Sequence, residues 1–369
     1  MITSWFSISK GILQGSVLGP TLFLLFIDDL LEQLLVTKLG TTFNNLILPA
    51  IAYADDITLL SLKVSELQLL LDICNTWALN NGMAFGIKKF FVVVFNSISK
   101  KITDLPIFTL GTDELESFYP ENVNDLYLGF NVTDRVARTK LDHTTSHSLK
   151  LVPHFRSKPN NKYLKLVKTK FNRSRFGVHN LCEDRNILSP SISMRIYKTL
   201  QRSTLLYCIE VCDWDLDQVE EIEILQAKAI RSHLDLDLQC PKATLRLISG
   251  VEPFQARIDL HVLLFYLKLC HSDSDTILGK LHNYRSSNFY NLPVGFYFTA
   301  HATLNKIGLG HLWNNMPTNL EIKSLLKKHV WQYYWKRDVA NANLSRSLFQ
   351  AYFCATQALR SHPTKSISS

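Results

Sequence analysis

Residues 46–62 read Leu46-Ile47-Leu48-Pro49-Ala50-Ile51-Ala52-Tyr53-Ala54-Asp55-Asp56-Ile57-Thr58-Leu59-Leu60-Ser61-Leu62. Two short apolar runs, Leu46–Tyr53 and Ile57–Leu62, flank Ala54-Asp55-Asp56, which predicts a β-hairpin. Neighbouring strand residues point to opposite faces. A tight turn relaxes that rule and can project both carboxylates from one tip. Two carboxylates at close quarters repel, and a cation relieves the cost. Mg²⁺ suits such a pair, because it takes oxygen ligands and keeps open positions for phosphates and water. An ordinary turn is the competing reading, since Asp is favoured in turns. The tetrapeptide alone leaves both open.

The flanking sequence predicts an α+β unit. Leu22–Leu31 is an apolar run after Gly19-Pro20, which fits a helix with proline in its first turn. Ser65-Glu66-Leu67-Gln68 matches a capping box. Behind it Leu67, Leu70, Leu71, Cys74, Trp77 and Ala78 recur at helical spacing. Asn81-Gly82 supplies a C-terminal stop. Phe90–Phe95 and Leu126–Val132 read as further short strands. From about residue 140 the chain reads as helical, with helices expected over Ile192–Tyr207, Gln218–Leu234, Arg257–Cys270 and Leu320–Asp338. Trp331, Tyr333, Tyr334 and Trp335 read as helix packing in preference to a base-stacking platform.

Charge is distributed in blocks. The 369 residues carry 40 Lys and Arg against 32 Asp and Glu, a net of +8. Residues 1–130 hold seven lysines, no arginine and thirteen acids. Residues 135–175 hold twelve basic residues and one acid, Asp142. Glu210–Asp237 turns acidic again. A basic block interleaved with aromatics suits a polyanionic partner. With 46% apolar residues the chain is not wholly disordered, and 14 Gly and 12 Pro exclude a collagen-like class. The longest apolar stretch, Val17–Ile27, is far short of the roughly twenty residues that cross a membrane, so no membrane partner is expected. Seven scattered cysteines and no leader pattern point to a nuclear or cytoplasmic protein that is not secreted. Cys208 and Cys212 lack the following pair that a zinc site needs.

Gly11-Ile12-Leu13-Gln14-Gly15-Ser16-Val17-Leu18-Gly19-Pro20 precedes the hairpin. With Ala52-Tyr53-Ala54-Asp55-Asp56, then Lys89 before Phe90–Phe95, then Tyr127-Leu128-Gly129, it forms an ordered set. That set resembles the palm of a reverse transcriptase, an RNA-directed DNA polymerase, of the non-LTR (LINE-like) retrotransposon type. The resemblance implies a partial polymerase palm, an antiparallel sheet with packed helices, followed by a mostly α-helical thumb and C-terminal region. It implies RNA-templated addition of deoxynucleotides to a primer by a two-metal mechanism, a nucleotidyltransferase reaction. The implied cofactor is Mg²⁺. The implied partners are an RNA template, a DNA primer and deoxynucleoside triphosphates. The oligomeric state is left open.

Roles follow residue by residue from the resemblance. Asp55 and Asp56 match the metal-binding acids. Gln14, Gly15 and Ser16 match the loop at the incoming nucleotide and template base, and Lys89 a lysine near its phosphates. Tyr127, Leu128 and Gly129 match the hairpin that grips the primer. Lys162, Lys165, Lys168, Lys170, Arg173 and Arg175, with Tyr163, Phe171 and Phe176 between them, fall where the thumb contacts nucleic-acid backbone. The implied divisions are a partial palm over 1–132, a basic thumb-like segment over 133–185, a helical post-polymerase region over 186–271, and a helical C-terminal region without assigned role over 272–369.

Departures from the family pattern matter. Leu13 stands in place of a usual proline, and Gly86 and Phe90 replace polar residues near the lysine. The family needs another palm aspartate from an earlier strand, and Met1–Leu13 contains no Asp or Glu. The expectation is therefore an N-terminally truncated retroelement enzyme, inactive as this chain. The alternative is a non-catalytic nucleic-acid-binding remnant acting through residues 135–175. A third reading is an unfolded relic whose sheet exposes an unpaired edge. No endonuclease, RNase H or zinc-knuckle pattern is present in the sequence.

Overall fold

The computed structural model describes residues 11, 15–43, 46–86, 90–94, 106–118, 161–181, 189–207, 209–210, 212, 214–234, 236–287, 295–317 and 321–344. The chain divides into two compact units, Met1–Asn124 and Asp125–Ser369. The expected strand at Leu126–Val132 lies outside the described residues.

In the first unit, helix α1 (Gly19–Val36) carries Pro20 in its first turn, where a missing N–H costs nothing. Two antiparallel hairpins follow. Strands β1 (Thr41–Phe43) and β2 (Leu46–Leu48) form one, and β3 (Ala50–Tyr53) and β4 (Asp56–Leu59) the other. The run Leu46–Tyr53, expected to be continuous, is therefore broken at Pro49, which has no N–H for a ladder. Helix α2 (Val64–Asn80) buries Leu70, Leu71, Cys74, Trp77 and Ala78 of the expected stripe, while Leu67 is half-buried. Burial pushes the Cys74 thiol up to about 12, so it stays protonated and apolar in character. The α2 helix closes at Gly82 (φ 60°) with two bonds. The Met83 N–H reaches the Ala78 carbonyl at 2.8 Å and the Gly82 N–H the Leu79 carbonyl at 3.1 Å, a Schellman stop.

The expected capping box at Ser65 and Gln68 does not form. The helix begins two residues earlier, with Lys63 at its N-cap, and the Lys63 N–H donates to Ser61 Oγ at 3.1 Å instead. Gln68 is taken by a long-range contact. Its Nε2 donates to the Thr109 carbonyl at 2.9 Å, and its Oε1 accepts the Thr109 N–H at 3.0 Å. Thr109 lies in β6 (Phe108–Leu110), which pairs antiparallel with β7 (Asp113–Phe118). Strand β5 (Phe91–Val93) pairs with β7 in parallel, so this small sheet is mixed in the order β5-β7-β6.

The second unit is helical. Its described elements are α3 (Asn161–Leu181), α4 (Pro190–Ile196), a π-turn (Tyr197–Gln201), α5 (Arg202–Leu206), α6 (Leu216–Leu234), α7 (Lys242–Ser249), α8 (Phe254–Cys270), α9 (Ile277–Ser287), α10 (Phe296–Lys306) and α11 (Glu321–Leu344). One hydrophobic core runs from Leu164 and Phe171 on α3 to Leu326 and Tyr334 on α11. It crosses the divisions expected at 185/186 and 271/272 without interruption. The π-turn has no sequence signal. It lies where Tyr197 donates to Gln226 Oε1 at 3.0 Å and Gln201 Oε1 meets His233 Nε2 at 3.1 Å.

Polar groups cross this core in paired sets. The Glu252 carboxylate accepts from Arg202 at 3.1 Å and from Arg257 at 2.8 Å. Burial alone would raise its pKa, but the two guanidinium groups outweigh it and hold the carboxyl below its usual range. Arg246 forks onto Asp338 at 2.8 and 2.6 Å, joining α7 to α11. Asp259 accepts from Lys306 at 2.8 Å and from the Tyr334 hydroxyl at 2.7 Å.

Removing one member of such a pair strands a buried charge. Asp338→Ala is expected to destabilise the second unit by about 3 kcal/mol, read as a shifted chemical-denaturation midpoint with unchanged slope. The His233 ring touches Ser193 Oγ at 2.6 Å, and burial lowers its pKa. The unfolded chain therefore binds the extra proton more readily. The stability His233 contributes is present above about pH 6.5 and is lost as pH falls below it. Denaturation at neutral and mildly acidic pH should show this loss, and His233→Gln should reduce it.

Candidate active site and nucleic-acid interface

The β3–β4 hairpin positions the paired carboxylates. Tyr53 pairs with Asp56, so the turn contains only Ala54 and Asp55. Ala50, Ile57 and Leu59 pack on the core of α1 and α2. Strand parity then turns Asp56 outward beside Tyr53, and both are exposed, as is Asp55. The two acids thus leave one open tip, Asp55 from the turn and Asp56 from the first residue of β4.

Ala54 has φ 52°, in the left-handed region. That conformation costs an L-residue roughly 1–2 kcal/mol and is held here by the two-residue connection. Such strain concentrates at functional turns. Nothing in the local sequence signals it, because alanine carries no turn signature. Asp29 is likewise settled by structure. It accepts the Trp77 indole N–H at 2.7 Å and Gln33 at 3.1 Å, which ties α1 to α2.

Of the nucleotide loop, Gly15 and Ser16 are described and exposed. Gly15 has φ +87°, and a Cβ there would meet nothing within 4 Å. Glycine is thus required by the backbone conformation, and the loop presents open main chain. Gln14, Lys89, Tyr127, Leu128 and Gly129 lie outside the described residues. The donor chemistry at the tip fits a hard cation, since both groups are carboxylate oxygens. In number it falls short: among the described residues no group of three His, Cys, Asp or Glu forms a metal cluster.

Helix α3 carries the basic segment. Leu164, Val167 and Phe171 enter the core, so Phe171 is packing and cannot stand among phosphate-contacting residues as expected. Lys165, Lys170 and Arg173 lie on the remaining, solvent-facing surface of the helix. Lys168 is paired with Glu221 of α6, and Arg175 also has a partner. The side chains of Lys162, Tyr163 and Phe176 lie outside the described residues.

The first unit is an α+β arrangement of hairpins and helices with two acids at an exposed tip. Residues 2–132 match the family model for reverse transcriptase (RNA-dependent DNA polymerase). Over 272 residues, 69% of the chain, it is 28% identical to the RNA-directed DNA polymerase from mobile element jockey of Drosophila funebris, covering 26% of that protein. Over 128 residues, 34% of the chain, it is 31% identical to the Pol polyprotein from type-2 retrotransposable element R2DM of Drosophila melanogaster, covering 12% of it. Residues 2–132 are thus similar to the reverse transcriptase domains of non-LTR retrotransposon polymerases. It spans about a quarter or less of the length of these curated relatives. No solved structure matches it significantly. Among the described residues no helix is long and apolar enough to cross a membrane.

If α3 meets a phosphate backbone, reversing Lys165, Lys170 and Arg173 to Glu should weaken binding. The slope of log affinity against log salt should fall by about 0.7–0.9 for each phosphate no longer neutralised. Lys168→Ala should change that slope least, because Glu221 already neutralises the lysine.

Proposed function

We propose that the chain derives its chemistry from RNA-templated DNA synthesis and that, by itself, it does not perform it. The observation that carries this reading is the Tyr53–Asp56 tip, with Asp55 and Asp56 exposed side by side inside the segment matched to reverse transcriptases. In that role the Asp55 and Asp56 carboxylates would hold Mg²⁺, and the ion would supply activation of a primer 3′-hydroxyl and charge stabilisation for the leaving pyrophosphate. Gln14, Gly15 and Ser16 would line the incoming deoxynucleoside triphosphate, with Lys89 near its phosphates. Tyr127, Leu128 and Gly129 would hold the primer end against the RNA template.

Two carboxylates are fewer than a two-metal site uses. Losing a group that stabilises transition-state charge costs about 10²–10³ in rate, and losing a shared metal ligand costs more because the ion itself is held less tightly. The second reading is a nucleic-acid-binding protein acting through the basic segment 135–175. It is favoured by the solvent-facing trio Lys165, Lys170 and Arg173 opposite a buried face.

Primer extension on an RNA template with Mg²⁺, run beside Asp55→Asn, tests the first reading. The chain alone is expected to give no extension above background. Substantial extension that Asp55→Asn abolishes would overturn the inactivity and establish Asp55 as catalytic. Extension indifferent to that substitution would remove the hairpin from the chemistry altogether.

A further inference from the structure

On the second unit, Trp331 and Trp335 stack one turn apart along α11, with ring centroids 4.7 Å apart and planes 19° from parallel. The unit has another such pair, Tyr266 and Trp313, at 4.5 Å and 4°. That one is buried, with 2% and 8% exposure, and is core packing. Trp331 is 41% exposed, so its stack continues into solvent.

A shallow groove beside it is lined by Arg246, Gly250, Pro253, Trp331, Trp335 and Asp338 among others. The acids of this wall are already neutralised. Asp338 is held by Arg246, and Glu252 by Arg202 and Arg257. Lys327 and Lys328 lie one turn before Trp331 on the same face. Both are exposed, and neither forms an ion pair among the described residues. Trp335 occupies one side of the Trp331 ring.

We propose that this face of α11 binds unpaired nucleic acid, with a base stacked on Trp331 and its phosphates against Lys327 and Lys328. An aromatic face beside paired cations is the pairing a single strand requires, because every base offers a π-face and every linkage an anion. A duplex keeps its bases stacked on one another and offers no free face to the ring. A protein partner fits less well, because lysines are depleted at the centres of protein interfaces. The site does not depend on the palm hairpin or on α3.

The test uses the full chain with a labelled single strand of roughly 12 nucleotides and the matching duplex. Trp331→Ala should weaken single-strand binding about 5- to 100-fold while leaving duplex binding within about twofold. Trp331→Phe should restore most of the affinity, and Lys327→Glu with Lys328→Glu should lower the single-strand salt slope by about 1.4. An unchanged thermal transition in each variant shows that the unit remains folded. The proposal fails if Trp331→Ala leaves single-strand affinity unchanged, if it weakens single strand and duplex equally, or if the wild type binds no single strand. A concentration-dependent dimer that Trp331→Ala dissolves would also overturn it, by giving the face to a second copy of the chain.

Discussion

The first unit depends on the packing of one side of a two-stranded hairpin against two helices. Alone in water such a hairpin is marginal. Ala50, Ile57 and Leu59 anchor it to the core built by Leu30, Leu34, Leu70, Cys74 and Trp77. The anchoring fixes register, and register decides the chemistry. A slip by one residue would bury Asp56 and expose Ile57. The helices are in turn tied through the Trp77 indole and Asp29, so an acid far from the tip helps hold the surface on which the tip stands.

The second unit solves a different problem. Its helices bring Glu252, Asp259, Asp338 and several arginines into a largely apolar interior, and each carboxylate is met there by a cation. Burial and pairing oppose one another at each of these sites. Glu252 ends below its usual pKa because Arg257 and Arg202 outweigh desolvation. Glu223, which accepts the Phe254 N–H at 2.7 Å and sits 3.7 Å from Arg246, ends above it because desolvation wins. Exposed cations of α3 and α11 stand outside these pairs, among them Lys165, Lys170 and Arg173 on one helix and Lys327 and Lys328 on the other.

Much of this is legible in the chain. The α2 stripe, its Asn81-Gly82 stop and the proline start of α1 are local features, and local spacing specifies them. The Asp55-Asp56 hairpin is legible for the same reason: two β-rich runs around a short turn need no distant partner. The ordered motifs from Gln14 to Gly129 likewise fall inside the segment that matches the reverse transcriptase family model. Local signals mislead where a distant group competes for the same side chain. Gln68 looks like half of a capping box, but a strand backbone forty-one positions away claims its amide at both ends. Phe171 looks like an aromatic among phosphate-binding lysines, but its helix turns it into the core.

Composition and spacing thus determined which elements form, which carry acid and which carry base, because those choices are made within a few residues. Tertiary structure alone decided the strained Ala54 turn, the Trp77–Asp29 tie, the π-turn at Tyr197, and which of four neighbouring aromatics on α11 remain open to solvent. Each of these depends on what lies across the fold from the residue. Side-chain burial and pairing are properties of two segments brought together, and a linear sequence states only one of them at a time.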